Sequence, residues 1–115
     1  MSDRRRRLGA HGEARAGAWY EAQGWTVLAR NWRCRDGEID LVVTRDRVVA
    51  FCEVKTRTTD AFGVPAEAVT ATKQRRLRRL AGHWLSEEST FAPREIRFDV
   101  AAVMGDAVEV IEAAF

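Results

Sequence analysis

The chain has too few cysteines, too little unbroken hydrophobicity and too little excess charge for several common roles. Its two cysteines, Cys34 and Cys52, form no Cys-x-x-Cys pair and lack the spacing of a zinc site. They read as free thiols of a reduced protein. The longest apolar runs, Val48–Cys52 and Val100–Met104, fall far short of the ~20 residues a membrane helix needs. Arg4–Arg7 lead into Leu8-Gly9-Ala10-His11-Gly12-Glu13 rather than an apolar signal core, so the expected location is the cytoplasm. There is no Gly-rich nucleotide loop, which argues against a hydrolase of small phosphorylated substrates. The formal net charge is only +2, which does not by itself mark a nucleic-acid binder. The distribution of charge has to decide that question.

What is present begins with enough material for one compact domain, residues 1–115. Hydrophobic residues make up 46% of the chain, which supports a packed core rather than disorder. The stretch from Gly37 to Arg57 organises the rest. Two apolar strands flank a polar break at Arg45-Asp46, the pattern of an antiparallel hairpin. With period two, Glu38, Asp40, Val42 and Thr44 share one face of the first strand, and Val49, Phe51, Glu53, Lys55 and Arg57 share one face of the second. With Thr44 opposite Arg47, Glu38 faces Glu53, and Asp40 faces Phe51 with Glu53 diagonal to it. Any bulge-free register of the same parity brings Asp40, Glu53 and Lys55 to one face.

Neighbouring carboxylates repel and are costly to desolvate, and a divalent cation removes that cost. Carboxylate oxygens suit Mg²⁺ or Mn²⁺, ions that also bind phosphate. Lys55 adds a positive charge able to hold an attacking water or stabilise charge developing on a phosphate. The bland alternative is a wet hairpin face of mixed charges.

The remaining chain reads as follows. Met1–Arg7 is a basic, frayed tail, either solvated or touching phosphate. Leu8–Gln23 is a helix with Ala16, Tyr20 and Glu13 on one face, Gly9 and Gly17 for close approach, and Gly24 as its cap. Trp25–Arg33 is a strand, and residues 58–69 are irregular. Thr70 or Thr72 caps a second helix that runs to about Glu87. Its stripe is Val69, Lys73, Leu77, Leu80, Ala81 and Trp84, and Lys73, Arg75, Arg76, Arg78 and Arg79 give it a basic face suited to phosphate. Glu95–Met104 is a central strand, with Asp99 either an acceptor for Lys73 or Arg76 or a buried structural partner. Ala107–Ile111 is an edge strand. The expected order is α-β-β-β-α-β-β: an α/β fold with a mixed five-stranded sheet flanked by helices, and with the site on the face approached by the first helix.

Asp40 followed by Glu53-x-Lys55 resembles the PD-(D/E)xK nucleases, with Ile39 in place of proline. Gly12-Glu13, Asn31-Trp32-Arg33, Gly37–Leu41, Phe51–Arg57, Phe62-Gly63 and Arg97–Val100 together resemble the bacterial YraN family, which is described as endonuclease-like and similar to Holliday junction resolvases. The resemblance covers roughly Leu8 to Val110 and implies a restriction-endonuclease-like fold. It implies a metal-dependent endonuclease with Asp40, Glu53 and Glu13 as ligands of Mg²⁺ or Mn²⁺, and Glu13, Asp40, Glu53 and Lys55 as catalytic residues. Arg57, Lys73, Arg75, Arg76 and Arg79 would contact DNA, and branched DNA and a homodimer follow from the resolvase likeness. Two roles stay open: Glu13 as a boundary residue bonded to backbone or Arg33, and Glu38 as a second-metal ligand or an arginine partner. The competing function is a non-cleaving nucleic-acid-binding module in recombination, repair or DNA uptake.

Overall fold

The computed structural model describes residues 3–57 and 69–115, and for residues 3–8 the backbone alone. Helix α1 spans Asp3–Ala22. It starts before the expected Leu8, because arginine runs are good helix formers as well as soluble ones. Of the expected basic tail, Met1 and Ser2 lie outside the described residues, and Asp3–Arg7 is helical backbone continuous with α1. Ala16 and Tyr20, one turn apart, are fully buried. The helix ends at Gly24, whose φ of 88° suits a residue without a Cβ. Gly24 N–H donates to Glu21 O and Trp25 N–H to Tyr20 O. The Trp25 ring then packs edge-on against Tyr20, which completes the cap with an apolar contact.

Strand β1 (Thr26–Cys34) starts a meander continued by β2 (Gly37–Arg45) and β3 (Val48–Arg57). Helix α2 (Ala71–Glu87) crosses to β4 (Glu95–Met104), and β5 (Ala107–Ile111) closes the sheet. The strands lie in sequence order, antiparallel except for the parallel β3–β4 pair. The element order and the mixed five-stranded sheet are those expected. Residues 58–68, which include the Phe62-Gly63 motif and most of the expected irregular segment, lie outside the described residues.

The hairpin register differs from the expected one by two residues. Arg45 pairs with Val48, and the turn is Asp46-Arg47 rather than Arg45-Asp46. Both turn residues are left-handed, at φ 51° and 65°. That geometry matches the right-handed twist of the strands. Parity is unchanged, so the β3 faces stand as read.

The sheet separates two cores. Under α1 lie Leu41, Val43, Val48, Ala50, Cys52, Ala101 and Val103 with Ala16 and Tyr20. Under α2 lie Ile39, Val42, Val49, Phe51 and Phe98 with Leu77, Leu80, Ala81 and Trp84. Thr70 is the α2 N-cap, its hydroxyl accepting from Lys73 N–H at 3.2 Å. Each large side chain buried from either helix stabilises the sandwich by about 1.5–3 kcal/mol. Among the described residues, no helix is long and apolar enough to cross a membrane.

Asp99 belongs to the α1 side. It is completely buried. It accepts from Tyr20 Oη at 2.6 Å, from Arg97 Nε and Nη2 at 2.8 Å each, and from Ala113 N–H at 3.0 Å. The expected alternative, an acceptor for Lys73 or Arg76, is not what the fold builds; the sheet stands between Asp99 and α2. The structural role is the one observed.

Candidate metal centre

The site grows from the place where the β2–β3 ladder stops. Leu41–Cys52 is its last pair. One residue further, Asp40 Oδ2 takes the Val54 N–H at 2.8 Å, so a side chain stands where a backbone carbonyl would have been. The alternation of β2 breaks at the same point. Ile39 packs towards α2 and Leu41 towards α1, although they are two apart. Glu38, Asp40 and Val42 face α2 together as period two expects; the exception to strict alternation is Ile39, which lies on that same side. Opposite Asp40, β1 is irregular as well: Asn31 sits at φ 51° between the pairs Arg30–Leu41 and Trp32–Ile39.

Glu13 reaches this opening from α1. Gly12 lets the helix come in: a Cβ there would overlap Thr56 Oγ1 on β3. Gly17 lies against the Arg30 side chain, whereas Gly9 faces open space. Glu13, Glu38 and Asp40 can each place one carboxylate oxygen within 4.8 Å of the others. Glu38 also accepts from Arg33 Nε at 3.0 Å, so both roles left open for it are compatible with its position.

The electrostatics follow from crowding. Burial, then the neighbouring Glu53 charge, pushes the Asp40 carboxyl up to about 7, against the lowering effect of Val54 N–H. Burial also raises Glu13, opposed by the neighbouring Asn31 amide. Protons or a cation must relieve such a group of acids near neutral pH.

Glu53 is not part of the tight trio. Its Oε1 lies 3.2 Å from Lys55 Nζ, and both side chains are mostly buried. Lys73 stands next to Lys55, whose ammonium depresses the Lys73 pKa. A cavity of about 270 Å³ opens between the sheet and α2, lined by Glu38, Asp40, Glu53, Lys73 and Arg76 among others. The site thus lies on the α2 face, not on the face approached by α1 as the sequence suggested; Glu13 joins it from the other side. The reason is parity: Glu53 and Lys55 follow Val49 and Phe51, whose partners come from α2.

The expected phosphate contacts separate. Lys73 and Arg76 line the cavity. Arg75 and Arg79 are exposed elsewhere on α2, with Arg75 Nη2 bonded to Thr72 Oγ1. Arg78 lies over the Phe98 ring, 4.7 Å from its centroid. Arg57 ends β3, level with Met104 of β4. Sequence reasoning missed the left-handed break at Asn31, level with Asp40; a lone asparagine inside a strand, unfavourable to β-structure, was the available signal.

These features define an α/β protein with an acidic centre at an opened strand pair. The chain belongs to the family described as Uncharacterised protein family UPF0102, which it matches over residues 12–103. A UPF0102 protein of Beutenbergia cavernae is 56% identical over 97 residues, covering 84% of this chain and 81% of its own. One of Mycolicibacterium gilvum is 56% identical over 104 residues, covering 89% and 84%. One of Moorella thermoacetica is 45% identical over 121 residues and spans both chains completely.

Proposed function

We propose that the protein is a divalent-metal-dependent endonuclease that hydrolyses DNA phosphodiesters, with branched or recombination intermediates as substrates. The observation that carries this reading is the Glu13–Glu38–Asp40 trio beside the Glu53–Lys55 pair, in a cavity walled by Lys73 and Arg76. The resemblance to PD-(D/E)xK nucleases supports it.

The donor set fits Mg²⁺ or Mn²⁺. Three carboxylates whose oxygens lie within 4.8 Å of one another offer the hard donors that these ions take. Asp40 and Glu13 would hold the ion, with Glu38 added by its position and Glu53 the further acid next to Asp40. The ion would neutralise the acids and polarise a phosphoryl oxygen. Lys55, steadied by Glu53, donates to the attacking water or to a non-bridging oxygen. Lys73 and Arg76 grip the phosphate entering the cavity, while Arg57, Arg75 and Arg79 hold flanking phosphates. The location is the cytoplasm, in keeping with two free cysteines. A homodimer would deliver paired cuts to a symmetric junction.

One observation favours the second reading, a non-cleaving module: Glu53, expected as a metal ligand, lies outside the Glu13–Glu38–Asp40 trio. Purified protein incubated with single-stranded, duplex, flap and four-way DNA in Mg²⁺, Mn²⁺ or EDTA separates the two. Metal-dependent cleavage of any of these supports the nuclease. Binding without cleavage under all conditions replaces it with the module.

A further inference from the structure

We propose that the far end of the sheet carries a second site, a receptor for a phosphate group held between the guanidinium groups of Arg45 and Arg47. The site itself goes beyond the reading above; only its use on DNA rests on that reading.

The acidic centre stands at the open end of the β2–β3 hairpin, and the turn Asp46-Arg47 closes the other end. A cavity of about 360 Å³ opens at this turn. Arg45 and Arg47 line it, together with Thr26, Thr44 and Phe91. Thr44 shares its strand face with Asp40 by period two, and Phe91 packs against the α2-side core. Both cavities therefore lie on the α2 side of the sheet. Arg45 follows Asp40 along β2 by roughly 17 Å, at ~3.3 Å of rise per residue.

Both guanidinium groups are braced by the protein. Arg45 Nη1 donates to Gln23 O at 2.6 Å, and its Cζ lies 4.9 Å from the centre of the Trp25 ring. Arg47 Nη2 donates to Ala92 O at 2.7 Å, and its Cζ lies 6.0 Å from the centre of the Phe91 ring. Gln23 and Trp25 flank Gly24, which lines the cavity, and Ala92 follows Phe91, which lines it too. Each bond to a carbonyl takes one N–H of a guanidinium that carries several, and leaves its charge unneutralised. Elsewhere Arg30, Arg33 and Arg97 face Glu21, Glu38 and Asp99. Among the described residues, Arg45 and Arg47 have no such carboxylate partner. Two braced cations around one opening suit phosphate oxygens, which arginine binds through parallel N–H donors. Asp46 is the acid among the lining residues, and it opposes one of the two charges.

Bracing alone would make the two arginines clasps, one for the end of α1 and one for the segment after α2. Asp46→Asn tells a receptor from a pair of clasps. It leaves both arginines in place, asparagine accepts φ 51°, and only the opposing charge is lost. Amide NMR spectra of wild type, Asp46→Asn and the double variant Arg45→Gln/Arg47→Gln are titrated with inorganic phosphate and, separately, with a short duplex DNA. EDTA is present throughout, so metal at the acidic centre plays no part. Phosphate should shift the amides of Thr44, Asp46, Arg47 and Phe91. Asp46→Asn should tighten that binding about 2-fold or more, and the double variant should weaken it about 10-fold or more. The double variant should also reduce the salt slope of DNA binding by about two. No shift around the turn with either ligand overturns the proposal, as do shifts confined to the surroundings of Lys73 and Arg76. Equal affinity of wild type and Asp46→Asn overturns it as well, and this comparison stands even if the double variant does not fold. Shifts with phosphate but not with DNA uphold the receptor and make its ligand a free phosphate group; shifts with DNA alone make it a phosphodiester. If the protein binds no DNA at all, the nuclease reading falls and the phosphate titration decides this site.

Discussion

Two aspartates, Asp40 and Asp99, lie on neighbouring parts of one sheet and are treated in opposite ways. Asp99 is fully buried and receives hydrogen bonds from Tyr20, twice from Arg97, and from the Ala113 backbone. Its negative charge has a cation beside it. Asp40 has the Val54 N–H and is otherwise pressed by Glu53, Glu13 and Glu38. One acid is fully paired within the protein, whereas the other is crowded among its own kind, a crowding that the proposed cation would relieve. Buried charge that is paired supports structure, and buried charge that is crowded marks a site.

The comparison breaks most visibly in activity. Asp40→Asn keeps the side-chain size and removes the charge. Cleavage should fall by about 10²–10³ or more, the scale of losing a group that stabilises transition-state charge. Lys55→Ala should lose cleavage similarly but retain Mn²⁺ binding, which Asp40→Asn should not. Cleavage assays with Mn²⁺ calorimetry alongside check both. Activity that survives both substitutions would belong to another site.

In stability the order reverses. Asp99→Ala leaves Arg97, its side chain only 17% exposed, facing a void where its partner was. About 3–5 kcal/mol should be lost, read from urea unfolding. If Asp99→Ala cost no more than Asp40→Asn, the division into structural and functional acids would be wrong.

A pH series sharpens the same contrast. Asp40 has its pKa raised from 3.8 to about 7. Between those values the folded state binds the extra proton, so stability is greatest below the lower value and declines as pH rises through about 7. The decline is at most ~4 kcal/mol, at 1.36 kcal/mol per unit. Unfolding of Asp40→Asn should lack this component. A wild-type curve flat from pH 4 to 8, once the other acids are matched, would show that the crowding is relieved some other way.

The smallest effect concerns α2. Lys73 and Arg76 line the cavity, whereas Arg75 and Arg79 do not. Replacing any one of the four by alanine should reduce the salt slope of DNA binding by about one. Only Lys73→Ala and Arg76→Ala should also reduce cleavage at saturating DNA. Fluorescence anisotropy over a salt range, with turnover on the same substrate, distinguishes them. Loss of turnover from Arg79→Ala would enlarge the working surface beyond the cavity.

Much of this was legible in the residues. Strand and helix order follow from periodicities of two and about 3.6, because each element buries one face or stripe and turns the other out. The Glu53–Lys55 face needed only the parity of β3, and a register error of two residues left it intact. Asp40 at the heart of the site was readable too, since an acid between Ile39 and Leu41 conflicts with a buried strand. Lys73, on the apolar stripe at the start of α2, lines the cavity, and Arg76 does so from outside that stripe.

Tertiary structure decided the rest. Which helix covers the site depends on the face each helix packs against, and no local pattern in α1 or α2 encodes that. Glu38 and Asp40 share a face by period two, but Glu13 joined them only because α1 comes close to the sheet at Gly12. Asn31 came level with Asp40 because β1 turns left-handed there, between the pairs Arg30–Leu41 and Trp32–Ile39. Asp99 went to Tyr20 and Arg97 rather than to α2 because the sheet lies between. Local sequence sets which side chains can share a face. Only the packing of helices on that sheet sets which charges meet, since Coulomb energy depends on separation in space and on the dielectric around the pair.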